Sequence, residues 1–471
     1  MYQLLDYKLA CYLPFLSNMR PGVFHASSDT VEVFDVGSSL ASSSYSFDKE
    51  GFTAVAHPNT LAIGRNHGVF VFSKRAGGEG DVEPVKLVEL HSCLEVLQKP
   101  SEEMMRERGA IHRDVKSGEE SVYTDSCYFY DHSISRKFIE FYKNEAPLDC
   151  ELDSYGDFFQ PLGPRATVDY VYNTSKVVNV VDSLIPTRKK IFKMLSGTPL
   201  HVLVLNASKF YHLGTTKEYL HHFCCNEVLK KEMRIAQEVF CATSTSTTNS
   251  ASETGDSNGV EPKSKCKGIQ LHSLIHSGSS IDSTSIVEYC NFKVPLDIGE
   301  RCVVSNCAIT ENVEDNGGEN VLKISSETFL HTVSVAKPEG HYCTILFSIH
   351  DNIKQRATTE ADLGEMQYLG KPLATFQSAL GLDSIKDLTD SQGDKSVTLW
   401  DTKLFPVFPD MGRCLLEAVR IVKCVKGGEG SVKDLKDVPR LSMDEVMRYK
   451  DLEGMLTYRH NLHTAIQEAN K

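Results

Sequence analysis

Apolar residues recur at helical spacing over residues 2–13 (YQLLDYKLACYL), which predicts an amphipathic helix. A short strand follows over 22–29, ending in Asp29, and alternation predicts a second over 31–36. Further strands are expected over 52–62, 69–72, 85–90 and 93–99, with Gly77, Gly78 and Gly80 in the turn before Pro84. That turn lies between two strands rather than before a helix, so it reads as a hairpin turn and not as a phosphate cradle. Ser101 opens a charged helix. The run 122–130 is a strongly aromatic strand, and 133–144 reads as a helix. Strands are predicted over 167–171 and 201–205, and a helix from Lys217 capped by Thr215 or Thr216. Strands alternating with helices imply an α/β fold with a mixed sheet.

The pattern breaks at 242–265 (ATSTSTTNSASETGDSNGVEPKSK), which has too few large apolar residues to offset its ordering entropy and reads as a disordered linker. Beyond it the period changes. Ile275, Ile281 and Val287 are six apart, and after a one-residue slip so are Ile286, Phe292, Ile298 and Val304. A period of six fits neither strand nor helix, but it suits a parallel β-helix whose sides use one hexapeptide each. Helical patches follow over 363–379, 411–423 and 443–463, and Trp400 lies between the first two as a packing anchor. The expected division is a partial α/β domain over 1–235, a Ser/Thr-rich linker over 236–266, a β-helix-like domain over 267–350 and a mixed, mainly helical region over 351–471.

Composition narrows the partners. The 471 residues carry 50 Lys and Arg against 63 Asp and Glu, a net charge of −13, which argues against nucleic acid and anionic membrane surfaces. No run of ~20 apolar residues predicts a membrane helix. The first residues show no charged leader or small-residue cleavage site, so a cytoplasmic location is expected. The 14 cysteines follow no disulfide or zinc spacing and read as reduced thiols.

Four places carry candidate chemistry. Asp29 ends a strand, where a carboxylate can hold a magnesium ion bridging phosphates; alone it reads as a turn residue. Lys99, stiffened by Pro100, can neutralise a phosphate; alone it reads as a solvated lysine. Residues 151–157 pack Glu151, Asp153 and Asp157 together, which invites a divalent cation or serves a helix start equally well. In 206–220, Gly214 lets the chain turn and leaves Lys209 and His212 toward a ligand; His212 alone reads as structural.

The order of these pieces resembles the later two-thirds of a sugar-phosphate nucleotidyltransferase domain. The strings PGVFHASSD, GFTAVAHPNTLAIGRNHGVFVF, LDCELDSYGDFFQPLGPRATVDY, LNASKFYHLGTTKEYLHHF, LWDTKLFPV and YKDLEGMLTYR resemble the fucose-1-phosphate guanylyltransferase (GDP-L-fucose pyrophosphorylase) family. The resemblance covers nearly the whole chain apart from the linker. It implies a Rossmann-like nucleotidyltransferase domain followed by the β-helix-like region and carboxyl-terminal helices. It implies Asp29 as a ligand of Mg²⁺, with Asp153 or Asp157 as the second. Lys99 would bind the phosphate of L-fucose 1-phosphate, Thr124 and Asp125 would hydrogen-bond sugar hydroxyls, and Lys209, His212 and Gly214 would line the sugar side.

The implied reaction is in-line attack of the fucose-1-phosphate oxygen on the α-phosphate of GTP, with pyrophosphate leaving. Catalysis would rest on positioning and charge neutralisation. The superfamily's G-G-x-(S/G)-x-R loop has no counterpart between Met1 and Asp29. The expectation is therefore an amino-terminally truncated form with little or no activity. The other reading is a non-catalytic sugar-phosphate-binding or interaction protein of the same family, with self-association through the β-helix or the carboxyl-terminal helices.

Overall fold

The computed structural model describes residues 4–13, 15, 19–35, 47–72, 86–113, 117–175, 177, 180–244, 266–310, 321–390 and 396–471. They form two compact units, 2–213 and 214–471. The first contains α1 (Leu4–Tyr12), β1 (Gly22–Ala26), β2 (Thr30–Phe34), β3 (Phe52–Asn59), α2 (Leu61–Gly64), β4 (Gly68–Phe72), β5 (Val88–Gln98), α3 (Glu102–Arg108) and β6 (His112–Arg113). It continues with β7 (Glu120–Asp131), α4 (His132–Glu145), α5 (Gly156–Phe159), α6 (Leu184–Leu195), β8 (Leu200–Leu205) and β9 (Ser208–His212).

Its main sheet runs β1-β7-β3-β8-β5-β4, with β6 beside β7 and β2 paired separately to β9. Only β3 and β8 are parallel; the other neighbours are antiparallel. The period of two assigns each residue to a face. Phe52, Ala54, Ala56, Tyr128, Val202 and Val204 bury one face against Ile134 of α4, Phe159 of α5 and Ile191 and Leu195 of α6. Val55, Cys127, Phe129, Leu203 and Leu205 bury the other against Tyr12, Phe15 and Phe47. Both faces are covered, so the central strands read as apolar runs.

Two expectations change in this unit. Residues 88–98 are one strand rather than two, because β5 changes partner: Val88 to Ser92 pair with β8, and Cys93 to Gln98 with β4. The polar break at His91 and Ser92 marks that exchange, not a turn. The strand expected at 167–171 is a 3₁₀ turn, Val168–Tyr172, in which only Val171 is buried. The turn at Gly77, Gly78 and Gly80 lies outside the described residues.

The second unit begins with a capped helix, Thr216–Leu220, whose Thr215 and Glu218 form a reciprocal capping box. Short strands then stack in parallel. Ile269 faces Ile286, which faces Val303; Asn291 faces Ala308; Ile281 faces Ile298. Each step is 17 residues, which is six, six and five, so one side is a residue short and the hydrophobic period slips there. Ile275, Ile281, Val287, Phe292, Ile298 and Val304 are all buried. Glu238–Val239 and Ala242–Ser244 pair into these ladders, so five described residues of the expected 236–266 linker are strand; 245–265 lie outside the described residues.

The long strands Thr328–Val335 and His341–Ser348 follow. The patch at 363–379 divides into Glu360–Glu365 and Leu373–Leu380, separated by a turn with Leu369 at φ 54° and Gly370 at φ 74°. Met411–Val422 and Met443–Tyr449 precede a final helix, Leu452–Ala469. The molecule is thus mixed α/β with carboxyl-terminal helices. Among the described residues no helix is long and apolar enough to cross a membrane.

Candidate functional site

A cleft of about 230 Å³ opens in the first unit. Its walls come from the entry to β4 (Asn66, His67, Gly68), the exit of β5 (Gln98, Lys99), the middle of β7 (Asp125, Ser126), the acidic segment (Asp153, Tyr155) and the β2–β9 pair. That pair supplies Asp29, Thr30, Phe210 and His212.

Local physics sets each group. Asp29 accepts from Ser27 Oγ and lies 3.4 Å from His212 Nε2, while its carbonyl accepts from the Leu213 N–H. Buried Lys8 of α1 donates to Thr30 Oγ1 at 2.7 Å and pairs with buried Glu32, which ties the first helix to the cleft wall. Lys99 sits at φ 48°, a left-handed conformation seldom adopted by lysine, and its N–H donates to the His67 carbonyl at 3.0 Å. The side chain is exposed, and it is the only Lys or Arg among the residues lining the cleft.

Asp125 and Ser126 are consecutive yet line the same cleft, which a regular strand forbids. A bulge allows it: Ala54 faces Tyr128 and Ala56 faces Asp125, so Ser126 and Cys127 together oppose Val55. Asp125 is buried and accepts from the Gly68 N–H at 3.1 Å. The approach is close enough that a Cβ on residue 68 would lie 2.3 Å from its Oδ2. Burial pushes the Asp125 carboxyl up to about 7; the Gly68 N–H opposes this, the Asp153 charge adds to it and Lys99 opposes it. Asp153 accepts from the Tyr155 N–H at 2.9 Å and from Gln98 Nε2 at 3.1 Å.

The structure thus brings together Asp29, Lys99, Asp125, Asp153 and His212. Four other expected residues do not line the cleft. Thr124 is fully buried and accepts from Asn59 Nδ2 at 2.6 Å. Asp157 is buried against Arg188 Nε at 2.7 Å and accepts from the Asp153 N–H at 2.8 Å. Burial raises its carboxyl, with Arg188 opposing. Lys209 alternates with Phe210 and His212, which face the cleft, and so lies on the other side of β9. Gly214 begins the second unit, outside the unit that carries the cleft.

Sequence reasoning missed Asn66, His67, Gln98, Ser126, Tyr155 and Phe210. Gln98 and Tyr155 were adjacent to recognised motifs, and that was the available signal. Among the described residues no three His, Cys, Asp or Glu side chains gather as a metal-holding group.

Comparison with known proteins adds an independent line. Residues 1–410 match the family model described as a fucose pyrophosphorylase domain. The chain is 36% identical to a fucose-1-phosphate guanylyltransferase of Mus musculus, over 99% of this chain and 76% of that protein. It is 33% identical to the Homo sapiens protein of the same name, over 99% of this chain and 74% of that protein.

Proposed function

The chain belongs to the fucose pyrophosphorylase family, and from that premise we propose that it joins GTP and L-fucose 1-phosphate into GDP-L-fucose and pyrophosphate. The observation that carries the reading is the gathering of Lys99, Asp29, Asp125 and Asp153 around one cleft. An ammonium at one wall and a hydrogen-bond-accepting floor complement a molecule that is phosphate at one end and polyhydroxyl at the other.

In this reading Lys99 holds the sugar-phosphate oxygen and aligns it on the α-phosphate of GTP, whose bond to pyrophosphate breaks as the new P–O bond forms. No side-chain nucleophile takes part. Asp125 and His212 orient the sugar. Mg²⁺ is proposed on Asp29 and Asp153. Two carboxylates in one cleft fit a cation that takes one or two of them and completes its shell with water and substrate phosphate. The Asp153 charge that helps raise Asp125 is a repulsion such a cation would relieve. When bound, it would neutralise charge on the phosphates. The finer fold reading is a Rossmann-like nucleotidyltransferase domain followed by a short parallel β-helix, supported by the mixed two-faced sheet and the 17-residue parallel ladders.

The test is pyrophosphate release by the purified chain with GTP, L-fucose 1-phosphate and Mg²⁺, beside calorimetric titration of L-fucose 1-phosphate. Release requiring both substrates supports the assignment. Binding without release keeps the sugar-phosphate site and removes the transferase activity. Neither binding nor release overturns both.

A further inference from the structure

His57 of β3 is fully buried between two serines, with Nδ1 2.7 Å from Ser208 Oγ and Nε2 2.9 Å from Ser126 Oγ. Ser208 Oγ donates its proton to the Leu205 carbonyl. A hydroxyl has one proton, so toward His57 Ser208 only accepts, and Nδ1 carries the ring hydrogen. Burial, with the Lys8 charge adding to it, pushes the pKa of His57 down to about 3, so the ring is neutral at physiological pH. Nε2 is then bare and accepts from Ser126. The other neighbour of Ser126 Oγ, Cys127 Sγ at 3.7 Å, stands as a second acceptor for the same proton. Either way that proton is spent inside the protein, and Ser126 retains only lone pairs for a ligand.

Ser126 lines the cleft beside Asp125, at the bulge of β7. We propose that Ser126 is an acceptor-only specificity residue, held in that state by His57, which binds a sugar-ring hydroxyl and fixes the orientation of the sugar phosphate in the cleft. A phosphate dianion has no proton to give to Ser126. It is therefore directed to Lys99, while the hydroxyl-bearing ring takes the bulge. The inference rests on a sugar phosphate occupying this cleft, as proposed above.

The test pairs ligand and protein deletions. L-Fucose 1-phosphate and its 2-, 3- and 4-deoxy analogues are titrated into wild type and Ser126→Ala. For wild type, one deoxy analogue is expected to bind about tenfold more weakly than the parent. For Ser126→Ala, parent and that analogue should bind equally, since the missing hydroxyl has lost its acceptor. His57→Gln, whose amide oxygen can replace Nε2 as acceptor, should retain the preference. ¹⁵N NMR of wild type should show His57 as the neutral Nδ1–H tautomer from pH 5 to 8, a readout that needs no ligand. An Nε2–H ring, or an unchanged deoxy preference in Ser126→Ala, overturns the proposal while leaving the sugar-phosphate site intact. Failure of wild type to bind L-fucose 1-phosphate overturns the function it rests on, whatever the tautomer.

Discussion

Asp153 and Asp157 are four residues apart and chemically identical, yet their surroundings give them different work. Asp153 lines the cleft and is held by one backbone and one side-chain donor. Asp157 is turned into the protein, where it neutralises Arg188, itself buried and also donating to the Asn173 carbonyl at 3.0 Å. Removing one member of a buried ion pair strands the other and costs about 3–5 kcal/mol. Asp157→Ala is therefore expected to lower the urea-unfolding free energy by about that amount. Asp153→Asn keeps an oxygen for the Tyr155 N–H, so its stability should change little while Mg²⁺-dependent binding of sugar phosphate is lost. Equilibrium unfolding and calorimetry on the two variants separate these roles; a stable Asp157→Ala without metal dependence would make Asp157 the ligand. At the other wall, Lys99→Ala removes a charge-assisted hydrogen bond worth about 1.5–3 kcal/mol. Titration of L-fucose 1-phosphate should show about a 10–100-fold loss of affinity, with little change in melting temperature because the side chain is exposed.

At the scale of elements, the 17-residue repeat builds a column as well as a core. His272, Tyr289 and Asn306 are each 17 apart and all adopt positive φ, at 46°, 51° and 53°. This repeated left-handed corner aims His272 and Tyr289 into a stack with centroids 5.2 Å apart, and Phe240 lies 5.3 Å from His272. The last helix, Leu452–Ala469, docks on that column. Arg459 lies over Tyr289 at 4.0 Å, His463 stacks on Phe240 at 4.5 Å, and Tyr458 donates to the Tyr289 and Cys307 carbonyls. Leu462 and Ile466 complete the seam with Ala242 and Leu274. Tyr289→Ala loses the stacked ring and keeps the backbone strain, whereas Tyr289→Asn loses the ring but suits the left-handed corner. Both should raise hydrogen exchange in 452–469 above the rest of the second unit, Ala more than Asn by roughly threefold to fivefold if about 1 kcal/mol of strain separates them. Equal exchange in the two variants would remove the corner from the account.

These elements also show what the chain makes legible. Period-two and period-3.6 signals located β3, β7, β8 and α4 because burial on one or two faces writes directly into residue spacing. The period of six marked the buried positions of the parallel ladders, and its slip recorded their 17-residue step. Three things were hidden. A strand that changes partner midway looks like two strands, as at His91 and Ser92. Aromatic and β-branched residues without a ladder neighbour look like a strand, as at Val168–Tyr172. A bulge violates alternation, so nothing in the spacing shows that Asp125 and Ser126 share a cleft. Arg188, which withdraws Asp157 from that cleft, lies 31 residues further on in a different helix. Such pairing is a property of the assembled sheet and not of any local window.

For the whole molecule, proton linkage sets Asp125, which lines the cleft, against buried His57, which is hydrogen-bonded to the neighbouring Ser126. Asp125 titrates near 7 in the folded chain and near 4 unfolded, so the native state holds the extra proton; the stability this gives is full below pH 4 and lost as pH rises through 7. His57 titrates near 3 folded and near 6.5 unfolded, so the unfolded state holds the extra proton; its contribution is full above 6.5 and lost as pH falls through 3. Between about pH 4 and 6.5 the two slopes have opposite sign and equal size, roughly 1.4 kcal/mol per pH unit each. The pair should therefore leave the first unit's stability flat across that range. Asp125→Asn removes one slope, and stability should then fall on acidification from pH 6.5 to 4. His57→Gln removes the other, and stability should rise over the same interval. The double variant should be flat again. Hydrogen exchange of core peptides in β3 and β8, followed by mass spectrometry across pH and corrected for intrinsic rates, reads the first unit alone. This matters because His331 in the second unit, pushed down to about 4 by burial, gives its own acid sensitivity to any global melt. Slopes of the same sign in both single variants would contradict the opposed-proton account of Asp125 and His57, and with it the neutral His57 on which the acceptor state of Ser126 depends.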